Sequence, residues 1–238
     1  MRLDKVLGHV GYGSRKEVQK LIKSKKVTVN GKCVIKSEAN VNPETDTICV
    51  SGEALDYQTF YYYILNKPAG YVSATEDPRD ETVIDLLAPI DRNKELFPVG
   101  RLDKDTEGLL VLTNDGKMAH DLLSPKKHVD KIYYAKVIGE MGSEDIESFA
   151  KGMTLSDGTT YKPSKLVILS SQGGYSEILV TISEGKFHQV KKMVQFVGKE
   201  VLYLKRLQMG DLKLPDDLEI GAYRQLTPDE LNALRRQA

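Results

Sequence analysis

Near the start of the chain, apolar residues recur at helical spacing. In LDKVLGHV, Leu3, Val6, Leu7 and Val10 share one helical face. In SRKEVQKLIKSK, Ser14 followed three residues later by Glu17 is a capping-box pattern, so a second helix is predicted to start there. Val18, Leu21 and Ile22 form its inner stripe, and Arg15, Lys16, Lys20 and Lys23 point away from it. VTVNGKCVI reads as two strands joined at Asn30-Gly31. The pattern predicts a small domain over residues 1–52, a linker over 53–58 and a second domain over 59–238.

In the second domain the periodicity is mixed. FYYYILNKPAG starts as an apolar strand, with Tyr61–Tyr63 in the core, and stops at Pro68 and Gly70. ETVIDLLAPI predicts a short helix. Leu109–Thr113 predicts a strand stopped by Asn114-Asp115-Gly116, and KMAHDLLS a helix after it. KIYYAKVIG alternates as a strand, with Ile132 and Tyr134 opposite Tyr133. SEDIESFAKGM predicts a helix capped by Ser143, and YSEILVTISEG a strand with Ile178, Val180 and Ile182 on one face. FHQVKKMVQFVG predicts a helix ended by Gly198, and TPDELNALRRQA one opened by Thr227, Pro228 and Glu230. Irregular interleaving with abutting hairpins is an α+β arrangement: a largely antiparallel mixed sheet with flanking helices.

Composition adds constraints. Apolar residues make up 40% of the 238, enough for a real core. No run approaches the roughly 20 apolar residues of a membrane span, and MRLDKVLGHVGYGSRK lacks a secretory signal pattern. Cys33 and Cys49 form no CxxC, which points to a reducing, cytoplasmic setting. The histidines at 9, 120, 128 and 188 have no metal-ligand spacing, so no metal is expected. The zero net charge conceals an asymmetry. Residues 1–36 hold ten Lys/Arg against two acids, leaving 24 basic and 32 acidic residues in the remainder. A basic arm on an acidic body suggests a polyanion-binding module; a merely solvated helix face is the alternative. Lys126, Lys127 and His128 could extend such a path or be simple solvated charges.

For chemistry, the nucleophile elbow, Walker loop and dinucleotide fingerprint are absent, as is any Cys/His arrangement. Carboxylate chemistry or pure binding remains. Asp103, in PVGRLDKDTEGLLVLTNDG, sits in a loop just before an apolar strand that can aim it. From spacing alone, a structural loop acid is the better reading of Asp103, and Asp105 and Glu107 read as turn acids.

Two resemblances sharpen this. RLDKVL, GSRKEVQKLI and VTVNGK, over about residues 1–50, resemble an S4 RNA-binding domain. That likeness implies an RNA face made of Arg2, Lys5, Arg15, Lys16, Lys20 and Lys23, contacting phosphates without reading sequence. GRLDKDTEGLLVLTNDG resembles the signature of pseudouridine synthases, with Asp103 in the place of the catalytic aspartate. NKPAG, KIY and SEGKFHQVKKM follow that family's pattern in order, over about residues 60–230. The likeness implies catalytic roles for Asp103, Tyr133, which packs on the target base, and Lys191, which pairs with the acid. It implies substrate-binding roles for Arg101, Leu102, Lys67, His188 and Gln189. Lys67 could hold a phosphate or be a surface lysine, and His188 could simply pack or orient. The S4 combination resembles the RsuA branch, which acts on ribosomal RNA. The implied reaction breaks the C1′–N1 bond of a flipped-out uridine and joins C1′ to C5, with no cofactor. The carboxylate could attack C1′, attack C6 or take a ribose proton. The implied substrate is small-subunit (16S) RNA, with 23S RNA as the alternative, within a ribosome-assembly intermediate. The protein is expected to be a cytoplasmic monomer with no membrane partner. Two other readings stay open. One is a catalytically silent S4-type RNA binder. The other is a hydrolase, which needs a second carboxylate at roughly 5–9.5 Å.

Overall fold

The computed structural model describes residues 1–124 and 127–237, so Lys126 lies outside the described residues. The chain forms two compact units, Met1–Tyr61 with Ile84–Phe97, and Tyr62–Val83 with Pro98–Ala238.

The small unit follows its sequence pattern closely. Helix α1 spans Leu3–Val10 and α2 spans Arg15–Lys23. The Glu17 carboxylate accepts from both the Ser14 N–H and the Ser14 hydroxyl, each at 2.7 Å, which tethers the start of α2. Strands β1 (Val27–Val29) and β2 (Lys32–Cys33) meet at Asn30-Gly31, both at positive φ (51° and 78°), as a primed two-residue turn requires. Leu3, Val6, Leu7, Val18 and Ile22 pack on Val27, Ile48 and Val50 in one core. The predicted linker is instead partly sheet. β3 (Ile48–Val50) turns through Ser51-Gly52 into β4 (Glu53–Ala54), and Leu55 and Tyr57 pack on the core.

The unit also takes in residues 84–97. The helix predicted over 81–90 is only α3, Pro89–Arg92. Pro89 is the reason: the residue before a proline is driven out of helical conformation, and Ala88 sits at ψ 150°. Asn93 Nδ2 donates to the Gly11 carbonyl at 3.0 Å, and a Cβ at Gly11 would collide with the Ile90 carbonyl. Gly11, at φ 103°, therefore both ends α1 and lets this segment approach.

The large unit is built on a nine-stranded sheet. Its strands are β5 (Tyr62–Lys67), β6 (Phe97–Pro98), β7 (Glu107–Thr113), β8 (Lys131–Ile138), β11 (Lys165–Gln172), β12 (Tyr175–Ile182), β13 (Glu200–Met209), β14 (Leu212–Lys213) and β15 (Tyr223–Gln225). A separate short hairpin joins β9 (Met153–Thr154) to β10 (Thr160–Tyr161). The order along the main path is β11-β12-β8-β13-β7-β5-β15; β14 pairs with β13 and β6 with β7. The pairing of β13 with β7 is parallel and the other registers on the path are antiparallel. Ile178, Val180 and Ile182 are buried on one face, as their alternation predicts.

The flanking helices are α4 (Gly116–Leu123), α5 (Ser143–Lys151), α6 (Gln189–Phe196) and α7 (Pro228–Arg235). The cap of α5 is Gly142 rather than Ser143, and Asp145 accepts the Gly142 N–H at 2.8 Å. Thr227 caps α7 as its sequence indicates. No helix among the described residues is long and apolar enough to cross a membrane.

Candidate active site

One lateral row of the sheet organises the site. Lys67 on β5 faces Gly108 on β7, Gly108 faces Arg206 on β13, and Arg206 faces Tyr133 on β8. Gly108, at φ 102°, is demanded by packing: a Cβ there would run into the Arg206 backbone. The Asp103 loop enters β7 five residues before that contact.

Lys67 is neither a phosphate ligand nor a surface lysine. Its side chain is fully buried, and its ammonium donates to the carbonyls of Pro68 (3.0 Å), Asp103 (3.1 Å), Lys104 (3.3 Å) and Thr106 (2.8 Å). A buried cation is tolerable when its protons are this fully matched. Burial still pushes its pKa down to about 8, against the pull of Asp105 and Asp103. Lys67 gathers the carbonyls of the Asp103 turn around one point. Ser73 braces the other side. Its hydroxyl donates to the Leu102 carbonyl at 2.9 Å and accepts the Leu102 N–H at 3.0 Å. The Leu102 side chain is buried, so this residue holds the loop from within.

The Asp103 carboxylate emerges from this braced turn 23% exposed. Lys191 on α6 meets it at 3.1 Å, as the sequence pattern implies, and also meets Asp105 at 2.6 Å. Burial pushes the Lys191 ammonium down, but its hydrogen bonds to Asp105 and Asp103 outweigh that, and the net lies above the ordinary lysine value. Burial likewise pushes Asp105 up, while the Lys191 hydrogen bond and charge take it below the usual carboxylate range. Asp105 is thus a member of the charge cluster, which the reading of it as a turn acid missed; three acids in five residues opposite a basic helix was the available signal. His188 Nε2 lies 3.6 Å from the other Asp103 oxygen. Glu107 is committed elsewhere, accepting the Tyr203 hydroxyl at 2.6 Å.

The remaining residues sort by contact. Tyr133 is buried and lines a recess with Asp103, and its hydroxyl makes no hydrogen bond among the described residues. Arg101 lines the same recess and forms no ion pair among the described residues; the nearby acids Asp105 and Glu107 are engaged by Lys191 and Tyr203. Gln189 lines it too, but its amide is occupied, accepting the Lys186 N–H at 3.0 Å and donating to Glu184 at 3.0 Å. It clamps the 184–189 loop rather than offering a free group. Thr106, which no sequence pattern marked, places on the recess wall a buried hydroxyl with no hydrogen-bond partner among the described residues. The recess, about 50 Å³, has room for a few waters. It adjoins a chamber of about 450 Å³ walled by Ser73, Arg101, Asp103, Phe187, His188 and Lys191.

In the small unit, Lys5, Arg15, Lys16, Lys20 and Lys23 are exposed and form no ion pair among the described residues. Arg2 differs: it makes a two-point hydrogen bond with the buried Asp4, at 3.0 and 2.7 Å, and holds that carboxyl below its usual range. Lys127 and His128 are exposed, His128 lying 3.5 Å from the Lys162 ammonium.

A carboxylate paired with a lysine at the wall of a 450 Å³ chamber, with a buried tyrosine in the adjoining recess, is the geometry against which the comparisons are set. Residues 61–196 match the RNA pseudouridylate synthase family and residues 1–47 match the S4 domain. The chain belongs to the RNA pseudouridylate synthase family. It is 50% identical to YtzG, an uncharacterized RNA pseudouridine synthase of Bacillus subtilis strain 168, over 98% of each chain. It is 40% identical to the ribosomal large subunit pseudouridine synthase B of the same strain, over 100% of this chain and 96% of the relative. It is 38% identical to the ribosomal small subunit pseudouridine synthase A of Yersinia pestis, over 97% of each. A crystal structure of a pseudouridylate synthase superposes with a TM-score of 0.68 at 34% identity, covering 98% of this chain and 99% of the other.

Proposed function

We propose that this enzyme isomerises one uridine of ribosomal RNA to pseudouridine, in the 16S RNA of a small-subunit assembly intermediate, as a cytoplasmic monomer. The observation that carries the reading is the Asp103–Lys191 pair at 3.1 Å at the wall of the chamber, with Tyr133 lining the adjoining recess beside the same acid. Asp103 is the catalytic carboxylate, and Lys191 holds it in place through their 3.1 Å contact while the C1′–N1 bond breaks. Tyr133 packs on the freed base as it turns, and once C1′–C5 has formed its hydroxyl relays the C5 proton, taking that proton as its own O–H proton passes to water. Arg101, unpaired at the chamber wall, holds the extruded nucleotide. His188, close to Asp103, orients the acid. Leu102, Lys67 and Gln189 serve the substrate at one remove, by fixing the two loops that touch it. Lys5, Arg15, Lys16, Lys20 and Lys23 supply phosphate contacts from the small unit, with Arg2 buttressing that face.

A 23S target is the second reading, favoured by the slightly higher identity to the large-subunit relative, 40% against 38%. Mapping pseudouridine in the 16S and 23S RNA of cells lacking this protein decides between them. One site should disappear and return with the wild-type gene but not with Asp103→Asn. An unchanged map of both RNAs would remove the ribosomal reading.

A further inference from the structure

Phe187 is the most exposed large apolar side chain among the described residues, at 73%, and it stands at the rim of the Asp103 chamber. Leaving most of a phenyl ring in water forgoes the stabilisation that burial would give. The ring is also held in place. It stacks on His188 with centroids 3.7 Å apart and planes 19° apart. His188 holds a left-handed backbone conformation, φ 52°, which a non-glycine residue adopts at a cost of about 1 kcal/mol. Lys192 lies 5.5 Å from the Phe187 centroid. The groups are linked by contact: His188 lies 3.6 Å from Asp103, Phe187 stacks on His188, and the Lys192 ammonium lies near the Phe187 ring.

A flat, preorganised ring flanked by a cation is what an unpaired nucleobase with its phosphate fits. We infer that the Phe187–His188 stack is a second nucleobase subsite, which holds a base neighbouring the target uridine in the single strand while the uridine occupies the Asp103 chamber. This rests on the RNA-modifying reading of the chamber and adds a substrate requirement to it: at least one flanking base, of any identity but best a purine, whose larger ring stacks more strongly. The Lys192 ammonium meets the charge of that nucleotide's phosphate. The target uridine is then gripped from two directions, by the chamber and by its stacked neighbour, which offsets part of the cost of unstacking the strand.

The test uses the full-length protein and an RNA oligonucleotide spanning the mapped uridine, with 2-aminopurine at each neighbouring position in turn. On binding, one position should show quenched fluorescence. Phe187→Ala should abolish the quenching and raise KM roughly ten-fold with kcat within about two-fold, and Phe187→Trp should restore both. An abasic residue at the same RNA position should reproduce the Ala effect and leave the Ala variant indifferent. Two results overturn the subsite: KM unmoved by Phe187→Ala, or a fall in kcat at constant KM that Phe187→Trp shares. Because quenching is read on Asp103→Asn as well, which binds without turnover, failure of the subsite is distinguishable from failure of the catalytic reading. A protein that quenches but never isomerises keeps the first and loses the second.

Discussion

In the small unit, Lys5, Arg15, Lys16, Lys20 and Lys23 stand in solvent and form no ion pair among the described residues. In the large unit, Lys67, Lys131 and Arg206 are at most 8% exposed, and Lys191 is tied to two carboxylates. The same side-chain chemistry does two different things. A hydrated cation attracts a polyanion from a distance, weakly per contact and in proportion to the counterions released. A dehydrated cation attracts nothing from outside; it fixes whatever carbonyl or carboxylate surrounds it. The chain's zero net charge is the sum of a basic surplus over residues 1–36 and an acidic surplus over the rest, where a few cations are buried.

The largest expected effect that tests this contrast is at the acid. Asp103→Asn should lower kcat by at least about 10³-fold while RNA affinity stays within about two-fold, measured by tritium release and filter binding. Weakened binding would mean that the pair with Lys191 also shapes the RNA surface. Next comes the buried cation. Lys67→Met removes the donor to four carbonyls, of which those of Asp103 and Lys104 keep a backbone N–H from Thr106 and Gly70, and urea denaturation should record a loss of about 3 kcal/mol. A loss under about 1 kcal/mol would mean that water replaces the ammonium and the turn is braced by Ser73 alone.

The exposed cations should behave in the opposite way. Arg15→Gln with Lys16→Gln and Lys20→Gln should leave stability within about 0.5 kcal/mol. The slope of log affinity against log salt should fall by about 0.7 to 0.9 for each phosphate contact removed. An unchanged slope would take these residues off the RNA path. The smallest effect is on pH dependence. Burial and the neighbouring Arg206 charge push Lys131 down to about 8 from 10.5. A lysine with a depressed pKa binds fewer protons folded than unfolded between those values, so wild-type stability should rise relative to Lys131→Met as pH climbs from 8 to 10.5. The gain is at most about 1.4 kcal/mol per pH unit. A constant difference across that window would mean that Lys131 is hydrated.

The pairing of Asp103 with Lys191 was legible because both lie in local patterns whose order along the chain carries the resemblance. So were α1, α2, the Asn30-Gly31 turn and the alternation of β12, all set by spacing within ten residues. Lys67 was not. A lysine before a proline at the end of a strand reads as a surface residue, and its four acceptors gather only when the Asp103 turn folds against β5. The capture of residues 84–97 by the small unit was equally hidden. It depends on Gly11 leaving space for the Ile90 carbonyl, a contact between residues 79 positions apart. Nothing in the sequence marks Phe187, and only its exposure separates it from Val190, three residues on in the same motif, which is buried.

The row Lys67–Gly108–Arg206–Tyr133 crosses four strands backbone to backbone, each step about 4.8 Å. The interval between the acid's loop and the tyrosine is therefore counted in hydrogen-bond rungs rather than set by adjustable rotamers. A one-residue slip of Glu200–Met209 on either neighbour would turn the tyrosine to the opposite side of the sheet. Mispaired chains of this enzyme should be wholly inert rather than sluggish, so the active fraction of a preparation reports directly on strand alignment.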